Sequence, residues 1–320
     1  MSSRFRWLLV CALVSVPSVH AQTYPVKPVR LVAGFPAGGG VDATARAYAQ
    51  KLGEYWGQNV IVENRSGANG MIGGESVARA PADGYTLFLS TPSEVALNPL
   101  LYAKHSYDPL KDLAPISRTV DFPNVMVVHP SVPAKTLKEL IALARATPGG
   151  INYGTSGVGS TQHLAGEWLK ANAGLKWMHI AYKGAAPAVT DVVGGQIPVA
   201  IIGLGAMLGQ IKSGRLRAIA VTSKNRTAAL PDLPTLYESG MNFDATQWYG
   251  ILTTTGAPAD VIKTVQAAIV RAANDPGVKA RLVALGGDPV SSTPEEYVAL
   301  IRSESAKFGK IIKDANIKYD

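Results

Sequence analysis

"RLVAGFPAGGGVDATARAYAQ" runs from Arg30 to Gln50. Arg30–Gly34 is an apolar run that reads as a strand. Three glycines, Gly38 to Gly40, follow it. Beyond them Val41, Ala45, Ala49, Leu52 and Trp56 recur at helical spacing, which predicts a helix over Val41–Trp56. The next apolar runs are "NVIVEN" (Asn59–Asn64) and "YTLFLS" (Tyr85–Ser90). Between them lie a small-residue helix and the Pro81–Gly84 turn. The order strand, helix, strand, helix, strand implies a parallel sheet with helices on its faces.

The alternation resumes at "NVMVVHP" (Asn124–Pro130). Thr136 and Glu139 form a capping-box pattern before a helix that ends near Ala146. "INYGTS", "HIAYKG", "PVAIIG" and "RAIAVTS" then alternate with helical stretches, the first over about 161–171. "QWYGILTT" (Gln247–Thr254) is a late strand. Helices follow Pro258 and Thr293-Pro294-Glu295-Glu296. Two βα units of similar size imply two α/β lobes. If the late strand and helices rejoin the first unit, the chain crosses between lobes twice and a hinged cleft results. The expected division is a leader over 1–21, lobe 1 over 22–121 plus 246–320, and lobe 2 over 122–245. Ligands of such sheets sit beyond the carboxyl ends of strands.

Residues 1–21, "MSSRFRWLLVCALVSVPSVHA", have the form of a secretory signal. Arg4 and Arg6 are the basic start, Trp7–Val16 the apolar run, and Val19-His20-Ala21 the cleavage site. The apolar run is too short to span a bilayer. Cys11, the single cysteine, lies in this leader, so the mature chain offers neither disulfide nor thiolate. The leader holds two basic residues and no acidic one, so formal net charge falls from +8 to +6 without it. The basic residues are scattered, which does not mark a nucleic-acid track.

Several chemistries fail on spacing. The glycine run lacks the lysine of a P-loop and the G-x-G-x-x-G of a dinucleotide site. "GLGAMLG" (Gly203–Gly209) follows a strand, but no acidic residue ends the next strand. "GTSGV" (Gly154–Val158) is not a nucleophile elbow. The histidines are dispersed, and no zinc site, metal or cofactor is expected. His163 reads as a packing residue or as a ligand contact, and Asp42 as a helix cap or a ligand contact. Three helix N-termini preceded by small residues remain: "PAGGG" (Pro36–Gly40), "YGTSGVGST" (Tyr153–Thr161) and "YKGAAPA" (Tyr182–Ala188). Free N–H groups and the helix dipole favour a carboxylate or phosphate at such ends. Thr155, Ser156, Ser160 and Thr161 add hydroxyls.

With "VIVENRSGANGMIGGESVARAPADGYTL", "NPLLY", "INYGTSGVGSTQHLAGEW" and "AYKGAAPAVTDVVGGQI" in order, residues 24–320 closely resemble the Bug-type solute receptors of tripartite tricarboxylate transporters. The resemblance implies a periplasmic, monomeric, non-catalytic binding protein of the type II-like α/β fold. Two lobes would hold a small carboxylate between them for integral-membrane transporter subunits. By motif it implies binding roles for Ala37, Gly38, Gly39, Asp42, Thr91 and Ser93 in lobe 1. In lobe 2 it implies Thr155, Ser156, Ser160, Thr161, His163, Lys183, Gly184 and Ala185, with Gln247 and Trp248 near the crossover. The family commonly reads close to "VDLMFD" after "GGQ", where this chain has "IPVAII" (Ile197–Ile202). Pro198 and Ile202 replace two aspartates, and Ile202 is expected to border the pocket and disfavour an ammonium group. The competing readings are a ligand sensor and an exported hydrolase using Ser156 or Ser160 with His163.

Overall fold

The computed structural model describes residues 24–317. The leader assigned to 1–21 lies outside the described residues. The first part of the chain forms β1 (Val29–Ala33), α1 (Gly40–Trp56), β2 (Val60–Asn64), α2 (Met71–Ala78), β3 (Thr86–Ser90) and α3 (Asn98–Leu101). A long strand, β4 (Leu113–Val128), leads into α4 (Leu137–Ala146), β5 (Ile151–Thr155), α5 (Thr161–Ala173), β6 (Trp177–Ala181) and α6 (Ala185–Val193). Next come β7 (Val199–Gly203), α7 (Leu204–Lys212), β8 (Arg217–Val221) and β9 (Thr246–Thr254). The chain closes with α8 (Ala259–Ala273), α9 (Pro276–Ala284), β10 (Asp288–Pro289) and α10 (Pro294–Asp314).

One curled sheet runs in the order β2-β1-β3-β9-β4-β7-β5-β6, with β8 and β10 added to β4. The βαβ units pair in parallel: β1 with β2 and β3, and β5 with β6 and β7. The crossing strands β4 and β9 pair antiparallel from Leu113↔Thr254 to Pro123↔Thr246. From Asn124 onward β4 pairs with β7 instead. The sheet therefore passes from one half to the other within β4 and β9.

The sequence pattern places a strand only from Asn124, and the structure adds Leu113–Pro123 before it. Pro115 and Pro123 cannot donate to a ladder, and the register shifts between Pro115 and Ser117 and again between Arg118 and Val120. Those irregularities break the period-two signal.

Both faces of each sheet half are covered. Leu31 packs with Tyr48 and Ile269 on one face, and Val32 with Phe88, Trp248 and Tyr297 on the other. In the second half Met126 packs with Leu164 and Ile219, whereas Val125 packs with Ala188, Ile202 and Met207. α10 joins the halves. Tyr297 and Ile301 lie in the first half's core, and Phe308, Ile311 and Ile312 lie in the second's. The end of α10, whose apolar stripe is buried against α5, thus reaches across from the 246–320 segment onto the second half.

Helix caps follow the sequence. The Thr293 side chain accepts from Glu296 N–H at 3.2 Å, and Thr293 N–H donates to Glu296 Oε2 at 2.9 Å. At α4 the reciprocal arm is displaced. Thr136 Oγ1 accepts from Glu139 N–H, but the Glu139 carboxylate takes Lys135 N–H.

Candidate functional site

A cavity of about 390 Å³ lies where β4 and β9 cross between the halves. Phe122 and Asn124 of β4, and Gln247 and Tyr249 of β9, form its floor. Strand alternation explains the set, since even residues of β4 and odd residues of β9 face one side. The rings of Phe122 and Tyr249 meet at 4.8 Å. Gly40 opens α1, Gln162 lies in the first turn of α5, Ala185 opens α6, and Gly203–Ala206 carry the start of α7. Ala284 and Leu285 close the rim from the end of α9. None of these lining residues is charged.

Three of the four helices begin at a glycine that has no side chain to cap them: Gly39, Gly184 and Gly203. The N–H groups of their first turns have no intrahelical acceptor, and the positive ends of their dipoles point at one space. α5 differs. Ser160 caps it through His163 N–H at 3.2 Å and itself donates to Gly157 O at 2.8 Å.

The polar side chains at the floor are tied into one network. Asn124 Nδ2 donates to Ala245 O at 2.8 Å and to Thr161 Oγ1 at 3.2 Å. Gln162 Nε2 donates to Asn124 Oδ1 at 3.0 Å, and Ser156 Oγ donates to Gln162 Oε1 at 3.1 Å. Each amide is thereby oriented before any ligand arrives.

Of the residues expected from sequence, Ala185 and Gln247 line the cavity directly. Ala37, Gly38 and Gly39 are exposed on the turn that leads to Gly40, with Gly38 at φ +83°. Asp42 turns back from the cavity. Its carboxylate accepts Gly38 N–H at 3.0 Å and Arg46 Nε–H at 3.0 Å. The Arg46 hydrogen bond holds its pKa below the usual carboxylate range. Thr91 and Ser93 do not line the cavity. Thr91 N–H and Oγ1–H both serve Glu94 Oε2, and Ser93 N–H donates to Thr91 Oγ1. Glu94 is fully buried beneath Gly34 and Gly70, and burial pushes its carboxyl up to about 7.

On the second lobe Thr161 reaches the network through Asn124. Gly184 N–H donates to Ser156 O at 3.0 Å, bracing one loop on the other. Lys183 is exposed outside the lining set. His163 lies behind the loop: its Nδ1 accepts Gly159 N–H at 3.1 Å and its ring stacks on His179 at 3.8 Å. His179 Nε2 and Thr155 Oγ1 share a 2.7 Å hydrogen bond. Burial lowers both imidazoles to about 4, so both are neutral at physiological pH.

Two placements depart from expectation. Trp248 faces away from the cavity and packs edge-on against Tyr297. It sits on the opposite face of β9 from Gln247 and Tyr249. Ile202 does not border the cavity either. It is fully buried with Val125, Ala188 and Met207, and the neighbouring Gly203 takes the lining position. Sequence reasoning missed Phe122, Asn124 and Gln162, and it weighed "GLGAMLG" only as a nucleotide motif. One signal was present: a strand followed directly by glycine and a helix.

Residues 44–317 match the tripartite tricarboxylate transporter family receptor, TctC. The chain belongs to this family. It is 35% identical over 302 residues to protein BugT of Bordetella pertussis, covering 94% of this chain and 93% of that one. Among solved structures it resembles Rpa4515 of R. palustris with adipate, at 32% identity and TM-score 0.80 over 92% of this chain and 99% of the other. It also resembles periplasmic binding protein BugD, at 32% identity and TM-score 0.76 over 93% and 100%. The fold is accordingly the type II periplasmic-binding architecture, and the TctC/Bug family consists of periplasmic solute receptors. Among the described residues no helix is long and apolar enough to cross a membrane.

Proposed function

We propose that this receptor captures a small carboxylate with an apolar or aromatic body and passes it to integral-membrane transporter subunits. The observation that carries the reading is the convergence of four helix N-termini on a cavity whose lining holds no charged side chain. Backbone N–H groups and helix dipoles suit a carboxylate. Phe122, Tyr249, Leu204 and Leu285 suit an apolar body, and no carboxylate is present to receive an ammonium group. The bound adipate of Rpa4515 supports a dicarboxylate-sized ligand of this kind.

Lobe 1 is assigned to 22–121 plus 246–320 and lobe 2 to 122–245, with the end of α10 reaching across onto α5. β4 and β9 then serve as the hinge, and a ligand touching both lobes favours the closed arrangement. Ala37, Gly38, Gly39 and Gly184 are assigned to the anion-facing turns. Thr155, Ser156, Ser160, Thr161 and His163 brace the opposing loop. A receptor is favoured over a hydrolase because Ser156 donates to Gln162 and Ser160 to Gly157 O, which leaves neither hydroxyl directed at His163. Export through the 1–21 leader to the periplasm and a monomeric state complete the assignment.

Calorimetry on the mature protein tests it with adipate, benzoate, aspartate and glutamate. Binding of the first pair and not the second is expected. Tight binding of the amino acids alone would reject the ligand class. Native mass spectrometry of the freshly purified protein should show a co-purified small acid, and fractionation and light scattering test the location and the monomer.

A further inference from the structure

The helix N-termini that border the cleft are not equivalent. Ser160 caps α5. At α7 a carbonyl from the other half is already in place, since a Cβ on Gly205 would lie 2.2 Å from Leu285 O. α1 and α6 remain open. In α1 the first backbone bond runs from Ala43 N–H to Gly39 O at 2.9 Å, so the N–H groups of Gly40, Val41 and Asp42 have no intrahelical acceptor. The Asp42 carboxylate on that turn is neutralised by Arg46 Nη2 at 3.0 Å.

Tyr249 reaches the same turn from β9. A Cβ on Gly40 would lie 3.5 Å from Tyr249 Oη, so the phenol oxygen stands against the first residue of α1. The residue is 7% exposed, and its ring is held by Phe122. Burial pushes its pKa up, which keeps the phenol protonated as a donor. Among the described residues no hydrogen bond engages the hydroxyl. Its oxygen is nevertheless not sealed in the core, and it opens on the cleft that Tyr249 helps to line. A nearly buried hydroxyl without a partner calls for one. Here a side-chain donor and free backbone donors face one space, and an anionic oxygen suits both.

We propose, resting on the receptor reading above, that Tyr249 is a specificity-determining residue that fixes the ligand's carboxylate at the start of α1. One carboxylate oxygen accepts from the first-turn N–H groups of α1, and the other accepts from Tyr249 Oη–H. The face of the ring serves the apolar body, and the hydroxyl at its tip serves the charged end.

Tyr249→Phe removes the oxygen alone. That oxygen has no partner within the protein, so thermal melts without ligand should match wild type. Calorimetry on the mature protein with adipate and benzoate should show at least about tenfold weaker binding of whichever acid the wild type binds. Gly40→Ala places a methyl at ordinary contact distance from the hydroxyl and should weaken the same acid. Since both changes act on one carboxylate, the double variant should lose less than the product of the two single effects. Wild-type affinity in Tyr249→Phe, or a double variant at the full product, would overturn the proposal and leave the receptor reading standing. So would a ligand-free Tyr249→Phe melt far below wild type, because the hydroxyl would then be holding the fold. A wild type that binds neither acid would overturn the receptor reading, and this assignment with it.

Discussion

Gly205 and Gly286 meet backbone to backbone: a Cβ on Gly286 would lie 2.7 Å from the Gly205 nitrogen, and one on Gly205 would overlap the Leu285 carbonyl oxygen. The start of α7, from the second half, thus rests directly on the end of α9, from the first. This contact closes the rim of the cavity. Gly205→Ala would ordinarily favour a helix by a few tenths to about 1 kcal/mol. At this position the added methyl is expected to prop the halves apart, with an overpacking cost of about 1–3 kcal/mol in the closed form. Ligand affinity should fall roughly tenfold or more, each tenfold being about 1.4 kcal/mol. Small-angle scattering with ligand should show a larger radius than wild type. Unchanged scattering and affinity would mean that the contact does not govern closure.

Asn124 holds the second crossing point. It is fully buried and bonds Ala245 O, Thr161 and Gln162. Asn124→Ala strands those partners without water. A loss of about 1–3 kcal/mol in stability follows from leaving buried polar groups unpaired. Ligand affinity should fall with it, because Gln162 loses the bond that orients its amide. Urea melts and calorimetry on the same variant check both, and a stability loss with unaltered affinity would confine Asn124 to a structural role.

Glu94 makes stability depend on pH in a definite direction. Its ordinary value is 4.5 and its folded value about 7, raised chiefly by burial. A raised folded pKa means that the native state favours the protonated acid. That stabilisation is complete below about pH 4.5 and is lost as pH rises through 7. Glu94→Gln cannot ionise, so its stability relative to wild type should grow between those limits by about 3 kcal/mol. Denaturant melts of both proteins at pH 5 and pH 8 read this out. Equal differences at the two pH values would place the ionisation outside the folding equilibrium.

The stacked histidines work the opposite way. His163 and His179 fall from 6.5 to about 4, first through burial, so the native state favours the neutral rings. Their contribution is present above about 6.5 and is lost as pH falls through 4. Protonating His163 Nδ1 would also destroy the acceptor for Gly159 N–H. Ligand affinity is expected to hold steady from pH 8 to 5 and to drop below that. Assigned His163 or His179 resonances titrating near 6.5 would contradict the buried, neutral pair.

The fold was legible wherever apolar spacing was undisturbed. The Arg30–Trp56 unit, the strand over Gln247–Thr254 and the Thr293 cap all follow local rules. The first half of β4 was not legible, since two prolines and two register shifts erase its alternation. The site was legible as a class of feature, namely glycine turns before helices, but only partly as residues. Ala185 and Gln247 reach the cavity, whereas Thr91 is occupied in holding Glu94 and Asp42 in holding Gly38. Both engagements are local, three and four residues apart, but residue type and spacing do not say whether such a polar group serves its own turn or a ligand. Trp248 is the instructive case. Its strand was placed correctly, yet parity within the strand decides which side it faces, and parity needed the partner β4.

Ile202 provides the sharpest test of that difference. Read as a pocket-bordering residue, it should set ligand choice, and Ile202→Asp should admit amino acids by supplying an acceptor for their ammonium group. The structure leads to another outcome. Ile202 is fully buried against Val125, Ala188 and Met207, with no cation among these neighbours to pair with an aspartate. Burying an unpaired carboxylate costs several kcal/mol or forces it to remain protonated. Ile202→Asp should therefore melt far below wild type, with that loss easing at acid pH where the carboxyl is neutral. Whatever fraction folds should keep the wild-type preference for carboxylates without an ammonium group. Thermal melts at two pH values and calorimetry with adipate and aspartate separate the two accounts. An aspartate-binding variant with a wild-type melting temperature would return Ile202 to the pocket.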